Sequence, residues 1–328
     1  MFLEQAQDGK NDIGRWLALL VIALFAITII GTIPVQIMVY LQTAEFPDLI
    51  PNLENPLDLS AFEIAAPIQL LFLVLPYLMG ILAFALLLKP IHERSTTTLI
   101  SGSKSFRWSR FFWGAKLWFL FLLIYILILY SLDDQSINLS INSASFLKIC
   151  LAIILLVPIK AGLEEILFRG YLLQGIHQLI RYKWLNLVVT GLFFAGVQVY
   201  LSEIKDNGAI LIFFQYLIFG ILLSLCVVLD DGLEMAWGIN SINTIFLGVF
   251  SLQESNSDAI RLSQFCFSNK SYSIGALLIF SALFIFSANK KFKWIGWNCL
   301  FIKSEQTVPV SDLDSDYLFD EYSEEDQA

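Results

Sequence analysis

The sequence predicts an all-α fold, a polytopic membrane helix bundle with about eight transmembrane helices. Of the 328 residues, 57% are hydrophobic and only 15% are charged, and the mean hydropathy is +0.70. These values lie outside the range of soluble domains. The apolar runs also lack the alternation of strands, and each is long enough for a span of roughly 20 residues. Little of the chain is left for a separate soluble domain.

Eight apolar runs justify the helix count. The fourth is short, ends near Pro158 and leads into an amphipathic stretch at 161–180. Because proline interrupts helical hydrogen bonding, we expect these two stretches to form one bent or broken helix. The eight runs are 16–41, 64–88, 113–132, 146–160, 184–201, 209–229, 232–251 and 272–288.

Loop charges predict the orientation. The segments 42–60 and 133–145 contain no lysine or arginine, whereas 89–116 is rich in both. The basic loop is therefore expected in the cytoplasm, with both termini on the same side. Its aromatic residues favour an interfacial helix start over a nucleic-acid patch. Membrane lipid is the expected partner, and nucleic acid is not.

Composition divides the chain into three parts. We predict a cytoplasmic N-terminal leader at 1–15, a membrane domain at 16–302 with its functional core at about 146–251, and an acidic disordered cytoplasmic tail at 303–328. The tail holds nine acidic residues and no arginine, which accounts for the net charge of −9.

The stretch "GLEEILFRGYLL" places two adjacent carboxylates in an apolar region. An ionised carboxylate in hydrocarbon costs several kcal/mol, so Glu164 and Glu165 must be paired, protonated or face a wet cavity. Glu165 and Arg169 are four residues apart and should pair on one helix face. Glu164 points about 100° away and is expected to face the cavity. Alternatively, both acids cap a helix start at the cytoplasmic interface.

Two further helices carry polar groups into the apolar region. Gln198 lies in "FFAGVQ", and "GLEMAWGINSINTIF" contains Asn240, Asn243 and Thr244. Interhelical hydrogen bonding explains single amides of this kind as well as a functional role does. Polar groups on three separate helices nevertheless favour a common site.

These motifs resemble a known family. "EEILFRGYLLQGI" is similar to an EExxxR helix, Phe194 stands four residues before Gln198 as in an FxxxH helix, and "DDGLEMAWGINSINTIF" is similar to a motif of His followed by Asn. The chain resembles the CAAX protease and bacteriocin-processing (CPBP, or Abi) intramembrane proteases, which include the type II CAAX prenyl endopeptidases. The resemblance covers roughly 90–300 and extends to the connecting region of bacterial members, which implies a bacterial inner membrane.

The resemblance implies a site in which a glutamate and a histidine activate water while a second histidine and an asparagine hold an oxyanion. Another view of the family makes these residues metal ligands. The matching positions here are Glu164, Glu165, Arg169, Gln198, Asn240, Asn243 and Thr244.

Both histidine positions of the family are amides in this chain. Gln198 stands at the first and Asn240 at the second, and an amide neither accepts a proton near pH 7 nor binds zinc well. We therefore expect no cofactor and no metal site. The chain has only His92, in the cytoplasmic loop, and His177, which points away from Glu164 on the same helix. Neither is expected to replace a motif histidine.

The sequence leads to the hypothesis of a proteolytically impaired pseudoprotease that binds peptide or lipidated protein segments. The alternative is an active endopeptidase, either glutamic-type or metal-dependent, that uses Glu164. A small transporter with a midplane site is a third interpretation, which the lack of charged relays in the other spans disfavours.

Overall fold

The computed structural model describes residues 2–45, 59, 64–132, 144–201, 208–254, 273–294 and 297–303. Within these ranges the chain forms ten α-helices, and the only β pairing consists of two isolated bridges. The acidic tail beyond Lys303 lies outside the described residues. The helices are α1 (Ile13–Phe25), α2 (Ile33–Glu45), α3 (Ala66–His92), α4 (Trp108–Leu132), α5 (Ala144–Glu165), α6 (Leu173–Leu179), α7 (Lys183–Leu201), α8 (Gly208–Asp230), α9 (Glu234–Glu254) and α10 (Ile274–Phe292).

All eight predicted apolar runs lie on these helices, which confirms the all-α membrane bundle. Six described helical stretches are long and apolar enough to cross a membrane, judged by length and composition: Ile13–Glu45, Ala66–His92, Trp108–Ser131, Lys183–Leu201, Gly208–Asp230 and Ile274–Phe292. The other two predicted runs form α5 and α9. These two helices carry the candidate polar site.

The fourth run and the stretch 161–180 form one continuous helical segment, as expected, but the interruption does not lie at Pro158. α5 passes through Pro158 and continues to Glu165, and a π-helical segment, Ile166–Leu172, then leads directly into α6. Neighbouring helices can compensate a proline in a membrane helix, so Pro158 does not end α5. The irregular segment is instead the π-helical stretch, which lies within "GLEEILFRGYLL". π-helical segments within α-helices often mark functional sites.

Three helix pairs build the core around the site. α7 packs along α8, α4 along α9 and α3 along α5, and α5 in turn packs on α9. Glycine allows the closest approach: a Cβ at Gly238 on α9 would overlap the carbonyl oxygen of Phe111 on α4, and a Cβ at Gly162 on α5 would overlap the ring of Trp237. Small residues at helix contacts are typical of membrane bundles.

A cluster of charges fixes the start of α9. The guanidinium of Arg107 binds both carboxylate oxygens of Glu234, at 3.0 and 2.6 Å, and its NH1 donates to the carbonyl oxygen of Asp230. Arg110 lies 3.3 Å from the carboxylate of Asp230. Burial opposes the charge on Arg107, but the bonds to Glu234 outweigh this and raise the pKa of the guanidinium. α9 is therefore anchored six residues before Asn240.

The N-terminal leader packs on the bundle. Phe2, Leu3 and Ala6 are buried, although the rest of the leader is rich in polar and charged residues. Gln174 and Gln178 of α6 donate to the backbone carbonyls of Phe2 and Ala6 at 3.1 and 2.8 Å. The leader is thus tied to the helix that continues from the motif.

Candidate functional site

Glu164 lies in a buried polar cluster between α5, α7 and α9. Its Oε1 accepts hydrogen bonds from Lys160 Nζ at 2.5 Å and from Gln198 Nε2 at 2.8 Å, and its Oε2 accepts one from Asn240 Nδ2 at 3.0 Å. Glu164 is only 5% exposed. The expectation that this carboxylate faces a wet cavity therefore differs from what the structure shows, because donors from three helices surround it.

Glu165 forms the predicted pair with Arg169. Arg169 NH1 lies 3.2 Å from Glu165 Oε1, and both side chains are fully buried. Asn240 Nδ2 donates to the same oxygen at 2.9 Å. The second oxygen, Oε2, has no hydrogen-bond partner among the described residues. The alternative that both acids simply cap a helix start at the interface does not fit this burial.

Arg169 connects the cluster to α8. Its guanidinium donates to Ser224 Oγ at 3.4 Å and to the carbonyl oxygen of Gly220 at 3.3 Å. It also lies over the ring of Phe194 on α7, 4.1 Å from the ring centre. A cation–π contact and multiple acceptors together reduce the cost of burying this charge.

The remaining predicted residues lie along α9. Thr244 Oγ1 lies 3.4 Å from Asn240 Oδ1, so Thr244 borders the cluster one turn further on. Asn243 Oδ1 accepts a hydrogen bond from Trp118 Nε1 at 3.2 Å, which ties α9 to α4. The structure thus brings Glu164, Glu165, Arg169, Gln198, Asn240 and Thr244 together, whereas the carbonyl of Asn243 is engaged by α4.

Sequence reasoning missed Lys160. This lysine precedes Glu164 by four residues, the same spacing that predicted the pair of Glu165 and Arg169. An apolar run that ends near Pro158 places Lys160 at a helix boundary, where its partner on the next turn is not evident. Lys160 is 3% exposed, and its ammonium also lies 5.6 Å from the ring centre of Tyr77.

Both histidines have partners outside the cluster. His92 contacts the backbone carbonyl of Lys10 and the hydroxyl of Tyr171, at 2.9 and 3.0 Å. His177 Nδ1 lies 2.7 Å from Asn186 Nδ2. Burial, together with the charge of Lys183, lowers the pKa of His177 to about 4. Neither ring takes the place of the imidazoles that the family motifs would supply.

The cluster does not fit a divalent metal ion. Its two carboxylates already contact two cations, Lys160 and Arg169, and its other donors are amides and hydroxyls. Such a set offers no imidazole, which most transition-metal sites use. Among the described residues, no three His, Cys, Asp or Glu side chains group as metal ligands.

Comparisons with known proteins agree with the motifs. The family model described as Type II CAAX prenyl endopeptidase Rce1-like matches residues 144–246, a range that contains the whole cluster. The uncharacterized protein YyaK of Bacillus subtilis (strain 168) is 28% identical over 254 residues, which cover 76% of this chain and 81% of YyaK. No solved structure matches. The resemblance predicted from the sequence is confirmed over the helices that carry the site.

Proposed function

We propose that this chain, a CAAX-protease-like intramembrane protein, binds peptide or lipidated protein segments in the membrane without cleaving them. The observation that carries the proposal is the contact of Gln198 and Asn240 with Glu164. At both positions where the resembling proteases have histidine, this chain has an amide that donates to the carboxylate.

Chemistry favours a non-cleaving site. A general base must reach the proton of an attacking water and hand that proton on. Lys160, Gln198 and Asn240 all act as donors to Glu164. They occupy three of its roughly four lone-pair positions, and an amide cannot carry a proton between substrate and product. The loss of such partners commonly costs orders of magnitude in rate.

The proposed ligand follows from the resemblance. The matching family is named for endopeptidases of prenylated CAAX sequences. A chain that matches this family over the helices around the cluster is suited to hold an extended or lipid-bearing segment beside it. The donors of the cluster would contact polar atoms of that segment, and the lipid-facing helices would accommodate its apolar part.

Comparison of protein termini tests the proposal without a known substrate. Host membranes with the wild-type protein are compared with membranes that carry Glu164→Gln at matched abundance. Glu93→Gln serves as the control, because Glu93 is an exposed carboxylate paired with Lys10 at the surface. We expect the same set of termini in all three samples.

Termini that are present with wild type and Glu93→Gln but vanish with Glu164→Gln would overturn the proposal. They would identify an active endopeptidase that uses Glu164 with amide partners.

Crosslinking of a photoreactive farnesylated peptide to the detergent-solubilised protein tests whether the chain binds lipidated segments. We expect labelling that unlabelled farnesylated peptide competes away, and equal labelling with and without competitor would contradict it.

A further inference from the structure

Lys160 is a buried cation that the family motifs do not include. Lysine is almost never fully buried unless it is paired. Here the ammonium lies 2.5 Å from Glu164 Oε1, one helical turn away on α5. The side chain is thus directed into the cluster, and its role there requires an explanation.

Charge balance gives the first part of that explanation. The cluster holds two carboxylates, Glu164 and Glu165, and two cations, Lys160 and Arg169. Without Lys160, two buried carboxylates would share one guanidinium. An uncompensated buried charge is far more costly than a complete pair, so Lys160 offsets the charge of Glu164.

Geometry gives the second part. Lys160 Nζ and Gln198 Nε2 donate to the same atom, Oε1 of Glu164, at 2.5 and 2.8 Å. A side chain at position 198 therefore reaches the oxygen that Lys160 neutralises. A protonated imidazole at this position would supply the same charge to the same atom, but it could also release its proton near neutral pH.

We propose that Lys160 is a positioning residue that supplies a fixed positive charge to Glu164, in place of a protonatable side chain at position 198. The inference rests on the proposed function, since a fixed cation suits a carboxylate that is held in place and does not cycle protons. It explains how the chain keeps a buried Glu164 while position 198 is an amide.

Infrared spectroscopy of the purified protein at neutral pH tests the inference without any substrate. In Lys160→Met we expect a new carbonyl band of a protonated carboxylic acid, because Glu164 loses its cation. The band should disappear when Glu164→Gln is added and should be absent in Lys160→Arg. A spectrum of Lys160→Met without the new band, or a band that persists with Glu164→Gln, would overturn the inference.

A second measurement covers the case in which Lys160→Met does not fold. Breaking a buried pair disfavours folding by roughly 100-fold or more. The double variant Lys160→Met/Glu164→Gln removes both charges, so we expect it to accumulate as folded protein far better than Lys160→Met alone. Equal loss of both variants would contradict the pairing.

A third measurement separates charge from packing. Lys160→Arg keeps the positive charge, so we expect it to accumulate as folded protein better than Lys160→Met. Equal accumulation of these two variants would contradict a role for the charge. No readout involves cleavage, so the inference and the proposed function can fail separately.

Discussion

The amide nitrogen of Asn240 on α9 lies 3.0 Å from Oε2 of Glu164 on α5. The same nitrogen also donates to Oε1 of Glu165 at 2.9 Å. One side chain therefore binds both carboxylates of the motif and fixes α9 against α5. This contact makes Asn240 a structural as well as a candidate functional residue.

Replacement of Asn240 should destabilise the protein. Asn240→Leu keeps the branched shape of the side chain but removes the shared donor, and we expect a loss of about 1–3 kcal/mol because both carboxylates stay buried. Thermal unfolding in detergent, followed by tryptophan fluorescence, measures the effect. Gln36→Leu is the control, since Gln36 on α2 is exposed and should change stability little. Equal melting temperatures for the two variants would contradict the prediction.

Removal of Arg169 should cost more. Arg169→Met leaves Glu165 without its cation in a fully buried site, and we expect a loss of about 3–5 kcal/mol. Adding Glu165→Leu should recover part of this stability, since the unpaired charge is then gone. A double-mutant cycle of unfolding free energies gives the coupling. Additive effects of the two substitutions would show that the loss of stability in Arg169→Met does not come from the broken ion pair with Glu165.

A methyl group should be tolerated at one helix glycine and not at another. Gly238→Ala on α9 introduces a Cβ that overlaps the carbonyl oxygen of Phe111, so α4 and α9 must separate and stability should fall. Gly196→Ala on α7 meets no atom within 4 Å and should be neutral or raise stability by up to about 1 kcal/mol. Melting temperatures of the two variants test the contrast. Similar shifts in both would argue against close packing of α4 on α9.

Stability should fall in acid because of His177. Its pKa is lowered to about 4 in the folded protein, whereas the unfolded chain protonates it near the ordinary value of 6.5. The folded state is therefore favoured above pH 6.5 and loses up to about 3 kcal/mol as the pH falls from 6.5 to 4. His177→Gln removes this titration. As the pH falls from 6.5 to 4, the wild type should therefore lose unfolding free energy relative to the variant. A constant difference would contradict the lowered pKa.

The sequence predicted the helical architecture and, apart from Lys160, the residues of the cluster. The hydropathy runs located the long helices of the described ranges, and the four-residue spacing of Glu165 and Arg169 predicted their ion pair. Both signals are local, because they depend on length and on the period of a single helix. Lys160 has the same four-residue spacing from Glu164 and could have been predicted in the same way. Pro158, however, led to an expected helix end before Lys160.

Other features depend on contacts between distant segments. The donation of Gln198 and Asn240 to Glu164 joins residues 34 and 76 positions apart, and no periodicity within one helix contains it. Phe2 and Leu3 are likewise buried, although polar and charged residues follow them in the leader. Such contacts depend on how the helices pack, so the sequence indicated which residues were available but not which atoms would meet.

The π-helical segment Ile166–Leu172 has a consequence for how the gene can change. A π turn holds one residue more than an α turn, so it accommodates an extra residue without rotating the helix that follows. Deletion of a single residue from the wide turn would convert it to an ordinary α turn, and α6 would keep its orientation relative to α5. The same deletion in the regular part of α5 would rotate everything that follows by about 100° and would move Gln174 away from the leader. The chain can therefore lose one residue within this stretch more easily than within α5.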